Sequence, residues 1–323
     1  MEVPADVVDV PSPRPTPGPH RQLSWWGKLR RDWGLLAFAV PGIALLVLFR
    51  YIPLLGNVIA FQDYQPFLGI SGSNWVGVSN FDVIFNGDPE FLNALKNTLI
   101  LLFIQVVLVF PIPIALALLL NSVYHESFKR IVQSVLYLPH FLSWVIVVAL
   151  FPQMLGTVGV LNTFLAHHGM GTWHITGSPS WFKTLITSQV IWKDTGWSTI
   201  LFLAALSRID WEQYEAAAVD GASRLRQMWH VTLPGLRSLI ILLMILRLGS
   251  ALDVGFEQIV LQPSAGTDAT QVLDTYVYYN GIVGGQWGVA AAVGLVKGLV
   301  GLALVLGANK LAHMMGEDGV YKS

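Results

Sequence analysis

Seven ionisable side chains fall inside runs that are otherwise apolar: Arg50, Lys193, Asp194, Arg247, Asp253, Glu257 and Lys297. A charge within a membrane-crossing run is expensive, so it pairs with another group or faces water. Two kinds of chemistry suit this set. One is a network of intramembrane ion pairs that fixes helix packing or gating; the other is a polar path for a hydroxyl-rich solute. Asp253 and Glu257 are four residues apart and share one face of a continuous helix, with Arg247 nearer its start. Tyr51, Trp192, Tyr276 and Tyr278 supply the aromatic faces that sugars favour. For any single charge, packing or gating is the preferred reading, because intramembrane polar residues commonly serve pairing.

A second constellation lies in a polar gap: Glu215-Ala216-Ala217, then Asp220-Gly221, then Val231-x-Leu233-Pro234. Its chemistry is recognition. Asp210 can cap a first short helix, with Gln213 reaching back to complete a capping box. The alanines are strong helix formers whose small side chains let another surface approach. Gly221 provides a sharp turn, and Pro234 is expected to stop a second short helix before the next apolar run. The product is a compact, charged helical knob outside the bilayer.

Catalytic chemistry finds little support. There is no G-x-x-x-x-G-K-[ST] phosphate loop, so the chain is not expected to hydrolyse ATP. Gly281, Gly284, Gly285 and Gly288 lack the strand-turn-helix setting of a nucleotide fingerprint and read as a loop entering a helix. His167, His168 and His174 show no metal-ligand spacing and read as loop histidines, so no metal is expected. No cysteine is present, which removes disulfides, thiolate metal sites and thiol nucleophiles. A net charge of -1 gives no electrostatic case for nucleic acid.

The elements that must hold these residues are membrane helices. The chain is 54% hydrophobic and only 12% charged, against about 25% charged in soluble domains. An all-α, polytopic fold with about six spans is expected, over 34–60, 95–120, 132–155, 185–206, 236–261 and 289–313, each near the ~20 residues needed to cross. Orientation follows the basic residues. Arg21, Lys28, Arg30 and Arg31 precede the first span, Lys129 and Arg130 follow the second, and Arg208, Arg224 and Arg226 surround the knob. The opposite loops carry Asp63, Asp82, Asp88, Glu90, Asp268 and Asp274 instead. Both termini and the knob are therefore expected in the cytoplasm. Residues 1–32 read as a disordered, proline-rich and basic tail without a cleaved signal, 33–316 as the membrane domain with the knob at 207–235, and 317–323 as a short tail. Trp25, Trp26 and Trp33 suit an interfacial belt, and the outward loops 62–93 and 156–183 are expected to fold.

The knob spacing closely resembles the EAA loop of ABC importer permeases, E-A-A-x3-G-x9-I-x-L-P, with Val231 in place of isoleucine. Phe49-Arg50-Tyr51-Ile52-Pro53, Ala60-Phe61-Gln62-Asp63-Tyr64 and Trp75-Val76-Gly77 resemble the front of its carbohydrate-uptake branch, the LplB-type oligosaccharide permeases. Leu246-Arg247-Leu248-Gly249-Ser250, Asp253-Val254-Gly255-Phe256-Glu257 and Asp274-Thr275-Tyr276-Val277-Tyr278 resemble its rear. The resemblance implies a type I importer permease fold whose knob is the coupling helix. It further implies a bacterial cell membrane, a heterodimer with a second related permease, cytoplasmic ATPase subunits and an extracellular solute-binding lipoprotein. ATP and Mg would be bound by the ATPase and not by this chain, which needs no cofactor. An ABC permease for glycerol phosphate or a polyamine is the alternative, and a membrane-embedded enzyme or scaffold a more distant one.

Overall fold

The computed structural model describes residues 26–27, 31–262, 266–317 and 319–321. The tail expected over 1–32 and Trp25 lie almost wholly outside the described residues. The chain forms two compact units, Met1–Gly56 and Asn57–Ser323.

In the first unit the described chain is one helical run: α1 (Trp33–Leu46), a π turn (Val47–Tyr51) and α2 (Ile52–Leu55). Every side chain from Trp33 to Leu55 is exposed.

The second unit begins with a two-residue hairpin in which Gln62 and Asp63 pair antiparallel with Trp75 and Asn74. Phe61 stacks on Trp75 at 5.7 Å, so the loop 62–93 contains a folded hairpin. The helices that follow are α3 (Pro89–Ile104), α4 (Pro111–Asn121), α5 (Glu126–Tyr137), α6 (Trp144–Leu155), α7 (Val160–His167) and α8 (Pro179–Leu206). After them come α9 (Trp211–Val219), α10 (Arg224–Gln227), α11 (Leu233–Gly249), α12 (Phe256–Leu261), α13 (Leu273–Tyr276) and α14 (Trp287–Met314). The loop 156–183 is pinned by buried Asn162, which donates to the Gly156 and Trp173 carbonyls and accepts from the Trp173 N–H.

The core is a set of helix seams. Ala117, Phe202, Leu206 and Leu236 bring α4, α8 and α11 together. Leu101, Phe182, Ile186, Val254, Ile259 and Val272 close the other end of α8. Burying such aliphatic and aromatic groups from water is worth about 1.5–3 kcal/mol each. Within a bilayer that drive is weak and close packing replaces it.

Among the described residues five stretches are long and apolar enough to cross a membrane: Trp33–Phe61, Pro89–Asn121, Trp144–His167, Arg224–Gly249 and Trp287–Met314. The sixth expected span, 185–206, is present as α8 with 28 residues. Buried Gln189, Lys193, Thr195 and Thr199 dilute its apolar character, so it is not among the stretches apolar enough to cross by composition. The expected span 132–155 is not continuous. Pro139 opens a 3-10 turn at Leu138–Phe141, and Ser143 then caps α6 by accepting from the Ile146 N–H at 3.4 Å. The expected span 236–261 also breaks: α11 ends at Gly249, and Gly255, at φ +68°, starts α12. Asp253 lies in the gap, so it and Glu257 do not share one helix face.

Three of the four π turns among the described residues have one cause. Val47–Tyr51, Gln105–Val109 and Met228–Thr232 each end two residues before a proline: Pro53, Pro111 and Pro234. Proline lacks an N–H and its ring clashes with the carbonyl four residues back. The residue before each proline (Ile52, Phe110, Leu233) bonds five residues back, to Val47, Gln105 and Met228, which widens the helix where the ring must fit. Pro234 therefore does not stop a helix. It sits in the first turn of α11, and the run Arg224–Gly249 is continuous.

Candidate functional site

The knob is a helix-turn-helix with its caps in place. The Asp210 carboxylate accepts from the Glu212 N–H at 3.1 Å. Among the described residues no Gln213 side-chain bond returns to Asp210, so the expected capping box is only half made. At the far end of α9 the Ala222 N–H reaches the Ala217 carbonyl at 2.9 Å and the Gly221 N–H reaches Ala218 at 3.0 Å. This double closure requires a left-handed residue between them, and Gly221 has φ +75°. Ser223 caps α10 by accepting from the Arg226 N–H.

One contact braces the knob internally and another ties it to the rest of the second unit. The Tyr214 hydroxyl meets Thr232 Oγ1 at 3.0 Å. The Arg224 guanidinium donates to the Tyr124 hydroxyl and lies over its ring. Glu215 accepts from Trp211 Nε1 at 2.9 Å on an exposed face. Ala216, Asp220 and Gly221 are exposed, Ala217 and Val231 half-buried, and Trp211, Val219, Leu225 and Trp229 stand out in the open. A rigid knob with uncovered apolar and charged groups is suited to a protein partner.

The intramembrane charges divide into three sets. Asp194, Arg247, Asp253 and Glu257 line a groove of about 370 Å³ together with Gln105, Trp144, Phe256 and Asp274. Lys297 sits beside it and pairs with both Asp253 and Asp274. Lys193 does not line the groove; it is buried, donating to the His140 carbonyl at 2.7 Å and facing the ring of groove-lining Trp144 at 5.3 Å. Arg50 and Tyr51 are exposed in the first unit. Trp192 lies edge-on to Phe151 at 5.9 Å and does not line the groove.

Inside the groove Asp253 meets Lys297, an ion pair within the set that the sequence marks. Arg247 bonds the neutral amide of Gln105. Asp194 meets His140 Nδ1 at 3.0 Å, and that imidazole stacks flat on Trp197 at 4.6 Å. Of the expected aromatics, Tyr276 packs into the core against Phe91, and Tyr278 contacts the groove-lining Phe256.

Gln105, Trp144, His140 and Asp274 are site residues that sequence reasoning did not single out. A lone glutamine in the apolar run 99–110 was the available sign for Gln105. Asp274 read as a loop acid because its cation lies 23 residues further along the chain. Among the described residues no group of three or more His, Asp or Glu is placed to hold a metal.

Residues 91–314 match the family described as binding-protein-dependent transport system inner membrane component. The polygalacturonan/rhamnogalacturonan transport system permease protein YteP of Bacillus subtilis (strain 168) is 47% identical over 91% of this chain and 92% of its own length. Protein LplB of the same organism is 44% identical over 93% of this chain and 94% of its own. A solved bacterial alginate ABC transporter, in complex with an alginate pentasaccharide-bound periplasmic protein, has a chain 36% identical with a TM-score of 0.84. That match covers 92% of this chain and 99% of the other. The groove lined by charges, the capped knob and these likenesses agree: the chain belongs to the family of binding-protein-dependent transport system inner membrane components and is a permease subunit of an ABC importer.

Proposed function

We propose that this chain imports an oligosaccharide. The observation that carries the reading is one continuous helical run, Arg224–Gly249, with the knob at its start and groove-lining Arg247 at its end. Docking of an ATPase on Glu215, Gly221 and their neighbours would tilt this run as a body, and the groove wall would move with it. Sugar as the solute rests on the relatives, named for polygalacturonan/rhamnogalacturonan and alginate, and on the lining. The groove offers carboxamide, guanidinium and carboxylate groups beside Trp144 and Phe256, which is what hydroxyls and the apolar faces of pyranose rings require. A polyamine fits less well, because three of the four groove carboxylates already have partners: Asp253 and Asp274 in Lys297, and Asp194 in His140.

In this reading a second, related permease completes the path as a heterodimer. Cytoplasmic ATPase subunits bind ATP and Mg, and an extracellular solute-binding lipoprotein delivers the sugar. The chain carries out no chemistry of its own. It spans the bacterial cell membrane several times with both termini in the cytoplasm. The test is uptake into vesicles holding the complex, with ATP inside and the binding protein outside, across a panel of neutral and acidic oligosaccharides, glycerol phosphate and a polyamine. Saturable, ATP-dependent uptake of one oligosaccharide class is expected; uptake of the phosphate or the amine instead overturns the reading.

A further inference from the structure

The groove does not end at Arg247. A second cavity of about 240 Å³ lies beyond it, lined by Val109, Phe110, Pro113, Ser198, Leu243 and others. Four residues line both cavities: Gln105, Val190, Asp194 and Arg247. They come from three elements, the π turn after α3, helix α8 and helix α11. The residues found only in the second cavity lie further toward the knob on each element: Val109 and Pro113 after Gln105, Ser198 and Leu201 after Asp194, Leu243 before Arg247. The shared residues thus form a ring between an outer and an inner chamber. The Arg247–Gln105 bond spans it.

We propose that Gln105, Asp194 and Arg247 form a collar across the solute path, closed by the Arg247–Gln105 bond and opened when the hydroxyls of a passing sugar take that bond over. The partner chemistry favours exchange. Among the described residues Arg247 has no carboxylate within ion-pair distance, and a guanidinium held by a neutral amide is released more easily than one held by a carboxylate. Asp194 is held in place by His140 at 3.0 Å and presents its remaining acceptor sites to the ring. The three groups together offer planar donors and acceptors at one level, matched to vicinal hydroxyls.

Both sides of the bond stand on elements able to shift. Gln105 begins a π turn, its carbonyl accepting from the Phe110 N–H at 2.9 Å. Arg247 lies about 35 Å along the helical run from the knob at 1.5 Å per residue, so a small tilt of that run displaces the guanidinium. The hydroxyl-rich occupant rests on the oligosaccharide reading; the constriction itself does not.

The chain has no cysteine, which makes the test direct. Ser198→Cys places a single thiol in the inner chamber, and its labelling by an impermeant maleimide added outside vesicles is followed in the assembled complex. Ser71→Cys, exposed in the one-turn helix Gly69–Gly72, controls for assembly. Gln105→Leu removes the bond and is expected to speed Ser198→Cys labelling about tenfold, the factor carried by one charge-assisted hydrogen bond. Gln105→Glu replaces it by an ion pair and is expected to slow labelling below that of native Gln105. Unchanged rates in both variants, with Ser71→Cys labelled normally, overturn the collar. Labelling that follows Gln105 in a complex that imports no sugar keeps the constriction and removes its sugar occupant. Normal uptake with indifferent labelling removes the collar alone.

Discussion

Replacing Lys297 by methionine removes one cation that serves two carboxylates. Its side chain is 14% exposed, that of Asp274 21% and that of Asp253 63%. Removing one partner of a fully buried pair costs about 3–5 kcal/mol, while an exposed pair is worth less than about 1 kcal/mol. The Asp253 arm belongs to the second case and the Asp274 arm lies between the two. A loss of about 2–3 kcal/mol is expected for Lys297→Met, nearly all of it through Asp274. Asp274→Asn on the native background should also destabilise, since it leaves Lys297 with only its solvated partner. Combining the two should recover part of the loss, with a coupling of about 1–2 kcal/mol, whereas the cycle with Asp253→Asn should couple by about 0.5 kcal/mol or less. Unfolding of the detergent-extracted complex in mixed micelles provides the measurement. Coupling between Lys297 and Asp274 below about 0.3 kcal/mol, the limit of ordinary additivity, would refute the reasoning. If stability is then intact but uptake lost, these groups serve the path and not the packing.

Gly221→Pro cannot adopt φ +75° and should abolish transport-coupled ATP hydrolysis and co-purification of the ATPase while membrane insertion persists; normal values for both would sink the docking role of the knob. Glu215→Ala removes an exposed carboxylate held by Trp211, and uptake should fall with little change in thermal stability. For topology, Ser223→Cys should be labelled only from the cytoplasmic side and Ser71→Cys only from outside; labelling of Ser223→Cys by an impermeant reagent on intact cells would reverse the orientation. The tail after α14 is strapped to the root of α11 by Arg237–Glu317 at 3.1 Å and by Ser238, so Glu317→Ala should cost about 0.5–1 kcal/mol, the range of a partly exposed pair, read by thermal unfolding.

The parts of the site that were legible in the sequence are those set by local spacing. The knob follows from Asp210, the alanines and Gly221, because caps and turns are decided within a few residues. The inner break of the rear span was legible in principle, since Gly249, Ser250 and Gly255 are turn residues inside an apolar run. Hydrophobicity alone joined them, and so Asp253 and Glu257 were placed on one face. Pro234 misled for a physical reason: a proline ends a helix only if the preceding turn cannot widen, and at Met228–Thr232 it does. The pairings of Lys297 with Asp274 and of Arg247 with Gln105 join residues 23 and 142 positions apart. Such contacts depend on how helices pack, which periodicity does not encode.

The polarity of α8 connects these observations. A helix with Gln189, Lys193 and two threonines on buried positions and a half-buried Asp194 would be a poor choice to face lipid, and it reads weakly as a span for that reason. Placed inside, it supplies opposite functions from adjacent positions. Buried Lys193 holds the His140 carbonyl, and Asp194 meets the same histidine's ring while lining the groove. His140 therefore fixes the corner at which the chain turns from α5 into α6, and it fixes a carboxylate of the groove with the same residue. Any movement of that corner must carry Asp194's partner with it. Through that one histidine the polar helix α8 links groove geometry to backbone shape.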